Sequence, residues 1–176
     1  RSLAVLEPSL AAGTPIVGLE PSCTAALRHD APALLPDNPL AAATATATRT
    51  FAEFLNESGW QPPQVGGEAL VQTHCHQHAV VGFDADRSVM KAAGIDATVP
   101  DSGCCGLAGN FGFERGHYEV SKAAGERVLL PAVRDAAPTT AIVADGFSCR
   151  TQITHGTSRQ PVHLAQLLAA ALRQGR

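Results

Sequence analysis

Positive charge is sparse in this chain: 13 Lys and Arg stand against 16 Asp and Glu, giving a net charge of −3. There is no block of like charge and no basic run interleaved with aromatics, so a nucleic-acid footprint is not expected. No apolar stretch approaches the roughly 18 residues that cross a bilayer, so no transmembrane segment is expected. The opening residues do not read as a signal peptide. Five cysteines are too few, and odd in number, for a disulfide scaffold, which points to a reducing, cytoplasmic setting. The paired Cys-x2–4-Cys knuckles of structural zinc sites are missing. So are a phosphate loop ending in Gly-Lys-Ser/Thr and the glycine spacing of a dinucleotide fingerprint. No internal repeat and no long linker divides the 176 residues.

What is present is enough apolar sequence, 45%, for a sizeable core in one domain spanning residues 1–176. Four short apolar runs bounded by turn residues read as strands: Pro15 to Leu19, Ala69 to Thr73, Ala97 to Pro100 and Ala141 to Ala144. Helical patterns lie between them. They run from Ser2 to Ala12, Thr46 to Ser58, Asp86 to Ala93, His117 to Arg134 and Val162 to Arg173, with Gly13, Gly59 and Gly94 as stops. The stretches Pro32 to Pro39 and Gln61 to Gly67 read as loops. Alternation of this kind predicts an α/β fold: a central, mainly parallel sheet of at least four strands flanked by helices, Rossmann-like in its three layers. The chain enters a helical pattern directly at Arg1, and the expectation is a piece of a larger protein.

In such sheets ligands gather at the carboxyl ends of the strands. Every cysteine obeys that rule. Cys23 follows the first strand, Cys75 the second, Cys104 and Cys105 the third, and Cys149 the fourth. Cys104-Cys105-Gly106 sits in a glycine-rich turn, Gly103 to Gly112, that lets backbone approach a ligand closely. Five soft donors from distant loops suit an iron–sulfur cluster better than zinc. The plainer alternative is that these thiols are small buried hydrophobes. Thr73-His74-Cys75-His76-Gln77-His78 adds a second constellation: if extended, His74, His76 and His78 face one way, and with Asp101 or Asp145 they are candidates for a metal site; the plainer alternative is that these histidines bond loop backbone or begin the next helix. His76, Gly106 and Gly109 are the expected supporting residues around a cluster. Glu20 reads as a cap or loop anchor, with Ser22 or Thr24 capping the following helix.

These motifs resemble the cysteine-rich CCG domain found in a subunit of heterodisulfide reductase, in the iron–sulfur subunits of glycolate oxidase and anaerobic glycerol-3-phosphate dehydrogenase, and in fused FAD-linked dehydrogenases acting on D-2-hydroxy acids such as D-lactate. The family pattern is a cysteine, then Cys-Cys-Gly, then Cys-x-x-Cys. Cys75, Cys104-Cys105-Gly106 and Cys149 take those places here. The runs Glu20 to Cys23, Gly106 to Gly112 and Asp145 to Cys149 look most like the fused flavoprotein type. The sequence departs at one position: Gly146 stands where the first cysteine of Cys-x-x-Cys belongs, and Cys23 is the candidate to restore a fifth thiolate.

The resemblance implies an electron-transfer domain of a flavin-linked oxidoreductase. Its cofactor would be an iron–sulfur cluster, a four-iron cube or a non-cubane form, on Cys23, Cys75, Cys104, Cys105 and Cys149. FAD would lie in another part of the parent protein, where a 2-hydroxy acid is oxidised. The partners implied are the flavin domain, a ferredoxin-like domain and a first CCG domain, with peripheral membrane contact through the parent complex. The alternatives are a metal-free or zinc-stabilised docking domain of the same complex, with zinc taking the place of a lost cluster, and a zinc hydrolase built on His74, His76 and Asp145.

Overall fold

The computed structural model describes residues 2–174. The chain opens with α1 (Ser2–Ala11), which lies against α4 (Pro39–Ala47). Between them come β1 (Ile16–Gly18) and a helical stretch of α2 (Pro21–Ala25), a π-helical turn (Ala26–Asp30) and α3 (Ala31–Leu34). The chain continues through β2 (Thr48–Thr50), α5 (Phe51–Glu57), β3 (Glu68–Gln72), a second π-helical turn (Gln77–Val81), α6 (Asp84–Ala92) and β4 (Asp96–Thr98). It ends with α7 (Tyr118–Glu126), α8 (Leu129–Asp135), β5 (Ala141–Ala144), α9 (Phe147–Gly156) and α10 (Leu164–Gln174).

The α/β architecture with parallel strands covered by helices is as the alternation predicts. All strand pairs are parallel, but they divide into a three-stranded sheet, β4-β3-β5, and a separate pair, β1-β2, rather than forming one sheet of four. Leu70 is in register with Thr98 on one side and Ile142 on the other. Alternate residues of β3 feed two cores. Ala69 and Val71 join Val89, Met90 and Ala93 of the α6 region and Leu164 and Leu168 of α10 on one face. Leu70 joins Leu129, Leu130 and Val133 of α8 and Ile153 of α9 on the other. The period of two in a strand buried on both faces requires this split. It fixes β3 at the centre, so the loop after it emerges between the loops after β4 and β5.

Three local expectations change. The run Thr46 to Ser58 is not one helix: α4 ends at Ala47, β2 pairs with β1, and α5 restarts behind a capping box in which Thr50 and Glu53 each bond the other's backbone N–H, at 3.1 and 2.8 Å. His117 to Arg134 breaks into α7 and α8 at Arg127 and Val128, which puts Pro131 in the first turn of α8, where its missing N–H costs little. Pro32 to Pro39 is helical at both ends, with a turn only over residues 35–38.

Candidate metal centre

The loop after β4 carries the two adjacent cysteines, and the end of β3 holds it in place. Gln72 is buried and donates through Nε2 to the Gly103 carbonyl at 3.1 Å, while its Oε1 accepts from the Ser102 hydroxyl. Arg127, at the break between α7 and α8, donates to the Ser102 carbonyl at 3.1 Å. Sequence reasoning missed Gln72, Ser102 and Arg127; a buried glutamine at a strand end was the available signal. The turn then closes through Gly106, whose φ is +95° and whose Cα faces the Ser121 carbonyl so closely that a Cβ would collide with it. Only glycine fits there.

The backbone N–H groups of this turn aim at sulfur. Gly106 N–H donates to Cys104 Sγ at 3.3 Å. The Cys105 thiol is pushed down to about 6, chiefly by a hydrogen bond from Cys149, against burial, and then by the N–H groups of Leu107 and Ala108. Cys149 is pushed up by its contact with Cys105 and by burial. Gly109, the other expected supporting glycine, donates instead to Ser148 Oγ at 3.0 Å, tying the turn to α9.

Cys75, Cys104, Cys105 and Cys149 lie near enough for their charges to act on one another. Cys75, half-buried, is raised by burial and then by the charges of Cys104 and Cys105. Cys149 feels Cys105, Cys75 and Cys104 in turn. Cys105 and Cys149 are buried, and Cys104 opens to solvent. Cys23 stands at the rim: it is exposed, and what acts on it is burial and then Glu20, not another thiol. Its loop nevertheless meets the others. Ser22 Oγ is 3.3 Å from His74 Nε2, and Glu20 accepts from Cys23 N–H at 2.9 Å and from Phe147 N–H at 3.4 Å, so one carboxylate caps α2 and the N-terminus of α9. Burial works against that carboxylate, but the N–H of Cys23, the Ser22 hydroxyl and His74 outweigh it and hold Glu20 below its ordinary value. The capping role expected of Ser22 or Thr24 thus falls to Glu20 itself; the Thr24 hydroxyl donates to the Glu20 carbonyl at 3.0 Å.

The extended Thr73 to His78 segment does not form. β3 stops at Gln72 and the chain turns helical, so the three histidines do not line one face. The His76 ring is exposed, and its backbone N–H donates to His74 Nδ1 at 3.2 Å. His74 is the buried one, 5% exposed, held below its ordinary value by burial despite Glu20. Asp145 is occupied elsewhere: it accepts from Leu164 N–H at 2.8 Å and lies 3.5 Å from His163 Nδ1. The grouping of His74, His76 and Asp145 that a zinc hydrolase needs is therefore not made. Among the described residues no three His, Cys, Asp or Glu side chains are grouped to hold a single metal ion. A cluster presents several metal atoms and spreads its ligands wider than one ion does. Four sulfurs placed after three parallel strands, Cys149 in the first turn of α9 among them, are soft donors of the kind that group takes.

Among the described residues no helix is long and apolar enough to cross a membrane. No family model matches the chain. It is 31% identical over 164 residues, 91% of its length, to one subunit of the anaerobic glycerol-3-phosphate dehydrogenase of Escherichia coli, in two strains. It is 26% identical over 154 residues, 86% of its length, to D-2-hydroxyglutarate dehydrogenase of Pseudomonas putida. The chain spans 41% of the length of the first relative and 14% of the second. One relative is an oxidoreductase and the other a subunit of one, and this chain is similar to a part of each.

Proposed function

We propose that this chain is the cysteine-rich electron-transfer part of a flavin-linked dehydrogenase, of CCG-domain type, and that it holds an iron–sulfur cluster on Cys75, Cys104, Cys105 and Cys149, with Cys23 left outside this set at the exposed rim. The observation that carries this reading is the convergence of four free thiols from three strand ends, with peptide N–H groups of the Cys-Cys-Gly turn directed at Cys104 and Cys105. When bound, a cluster supplies one-electron transfer. The chain's own part is to offer thiolates, to donate N–H bonds to sulfur and to keep water off the buried side. The Cys105 thiol is held below its ordinary value, and both it and Cys149 would be thiolates on ligation, as metal binding to thiols requires. The N–H donors around Cys104 and Cys105 favour the more negative, reduced state of whatever those sulfurs hold.

In this reading the oxidation of a 2-hydroxy acid, such as lactate or glycolate, takes place at FAD in another part of the parent protein. The two electrons leave the flavin singly through iron–sulfur centres towards a further carrier. The partners are the flavin and ferredoxin-like parts and a first CCG domain of the same protein or complex. Free thiols of this kind call for a reducing, cytoplasmic setting, with any membrane contact made through the complex.

The test is iron and acid-labile sulfide per chain, with EPR, on protein purified and reconstituted without oxygen. About four irons with matching sulfide supports the proposal for a cubane centre. The competing reading is a docking domain without a cluster, and the burial of Cys105 and Cys149 inside an apolar core is the observation that favours it. Stoichiometric zinc or no metal, with activity of the whole complex unchanged in Cys105→Ser, would establish that alternative.

A further inference from the structure

Gly146 begins the last motif, three residues before Cys149, and its backbone does not ask for glycine. Its φ and ψ are −69° and 130°, an extended conformation open to any residue. Space, not backbone, is the constraint. A Cβ at this position would run into the His74 ring and lie 3.3 Å from Cys149 Sγ. The volume that a side chain at 146 would use, beside the thiols, already belongs to an imidazole.

That imidazole is held as a ligand would be. His74 precedes Cys75, and its Nδ1 stands 3.9 Å from Cys75 Sγ. Nδ1 accepts the His76 N–H at 3.2 Å, so it carries a lone pair and the ring proton resides on Nε2. Nε2 faces Ser22 Oγ at 3.3 Å, and that hydroxyl donates to Glu20 Oε1 at 3.3 Å. A ring whose far N–H is anchored through a hydroxyl to a carboxylate has the outer arrangement typical of metal-bound histidine.

Resting on the cluster reading above, we propose that His74, whose Cδ2 edge fills the space beside Gly146, supplies through Nδ1, next to Cys75 Sγ, the ligand that Gly146 does not, so that the centre has mixed thiolate and imidazole ligation. Ligation exchanges the His76 N–H for iron at Nδ1, and Ser22 and Glu20 keep the ring oriented. Imidazole is an accepted iron ligand, and a neutral ring in place of a thiolate raises a cluster's potential by reducing the negative charge around it. A ring that merely fills a hole would give neither a nitrogen signal nor a shift in potential.

The experiment uses the full-length protein, reconstituted anaerobically with iron and sulfide, with natural and 15N-labelled histidine. Pulsed EPR of the reduced centre is expected to show a directly coordinated histidine nitrogen in the wild type. His74→Ala should lose that coupling and bind less iron. The pair His74→Ala with Gly146→Cys opens the space and supplies a thiolate. It should regain the iron, lack the nitrogen signal and titrate at a lower potential than the wild type. A wild-type cluster without nitrogen coupling, or coupling that survives His74→Ala, overturns this inference while leaving the cluster reading intact. A wild type that binds no iron and sulfide overturns both. If His74→Ala alone fails to fold, the labelled wild type and the double variant still decide the matter.

Discussion

Replacing Asp86 by Asn should stabilise the protein at neutral and alkaline pH and leave it nearly unchanged in mild acid. Asp86 lies in the first turn of α6, is 4% exposed, and has one carboxylate oxygen, Oδ2, without a partner. Burial pushes its carboxyl up to about 7, and the nearby Asp145 and Glu53 push the same way, while the Gln77 side chain and its own backbone N–H pull down. The charged groups facing it from neighbouring elements are Asp145 just after β5, with His163 beyond that, and Glu53 on α5, which Arg28 neutralises at 2.8 Å. The hole between Gln77, Asp86 and Asp145 is about 10 Å³, room for one water at most. The folded carboxyl therefore titrates near 7 where the ordinary value is 3.8. The folded state holds this proton where the unfolded chain has lost it, so stability falls as pH rises from about 4 to about 7 and levels off above. That difference corresponds to a cost on the order of 4 kcal/mol on the alkaline side. Asn removes the charge at constant volume and relieves the repulsion from Asp145. Urea unfolding at a series of pH values between about 4 and 8.5 measures the difference. The variant should gain about 2–4 kcal/mol at pH 8 and little at pH 4, with a flatter slope between. Asp145, also raised by burial, leaves some slope in both proteins. Parallel curves, or a variant less stable at pH 8, would refute the reasoning.

Gly106→Ala should destabilise by about 2–4 kcal/mol, seen as a lower thermal midpoint, because a positive φ and the Ser121 carbonyl both oppose a Cβ. Cys75→Ser and Cys149→Ser should each cut bound iron by more than half after anaerobic reconstitution, whereas Cys23→Ser at the rim should keep most of it; equal loss in all three would contradict the placement of Cys23. Glu20→Gln should speed alkylation of Cys23 at about pH 7.5, because the carboxylate that helps raise this thiol is gone, and mass-spectrometric rates of carbamidomethylation would show it. The same change should cost roughly 1 kcal/mol through weaker capping of α2 and α9.

How far the sequence disclosed this arrangement depends on the kind of signal each element sends. β1, β3, β4 and β5 were legible because short apolar runs between turn residues have few other uses. β2 was not. Thr48–Thr50 continues an Ala-Thr stretch whose first part is truly helical in α4, and what makes it a strand is its partner β1, a contact distant in sequence. The alternating histidines left two readings open, an extended segment or the start of a helix, and the helical one is what forms. The strand ends earlier because Gln72 spends its amide on the Gly103 and Thr73 carbonyls and the chain turns into a helix. The break between α7 and α8 had a cue in Pro131, which belongs in a first turn rather than mid-helix.

The cysteines and the histidine mark the limit from two sides. A parallel sheet sends every strand-to-helix loop to the same edge, so the expectation that Cys75, Cys104, Cys105 and Cys149 lie near one another could be read from topology before any coordinate. Cys23 shows where that rule stops. β1 pairs only with β2, outside the three-stranded sheet, and its loop reaches the edge through Ser22, His74 and Glu20 rather than through its own thiol. His74 sends no signal of its own, since one histidine before a cysteine is commonplace. Its meaning comes from Gly146, about seventy residues away, a glycine that its extended backbone does not require and that the imidazole does. A missing side chain in a motif is thus informative only with its neighbour in view: the sequence shows the gap, and the fold shows what fills it.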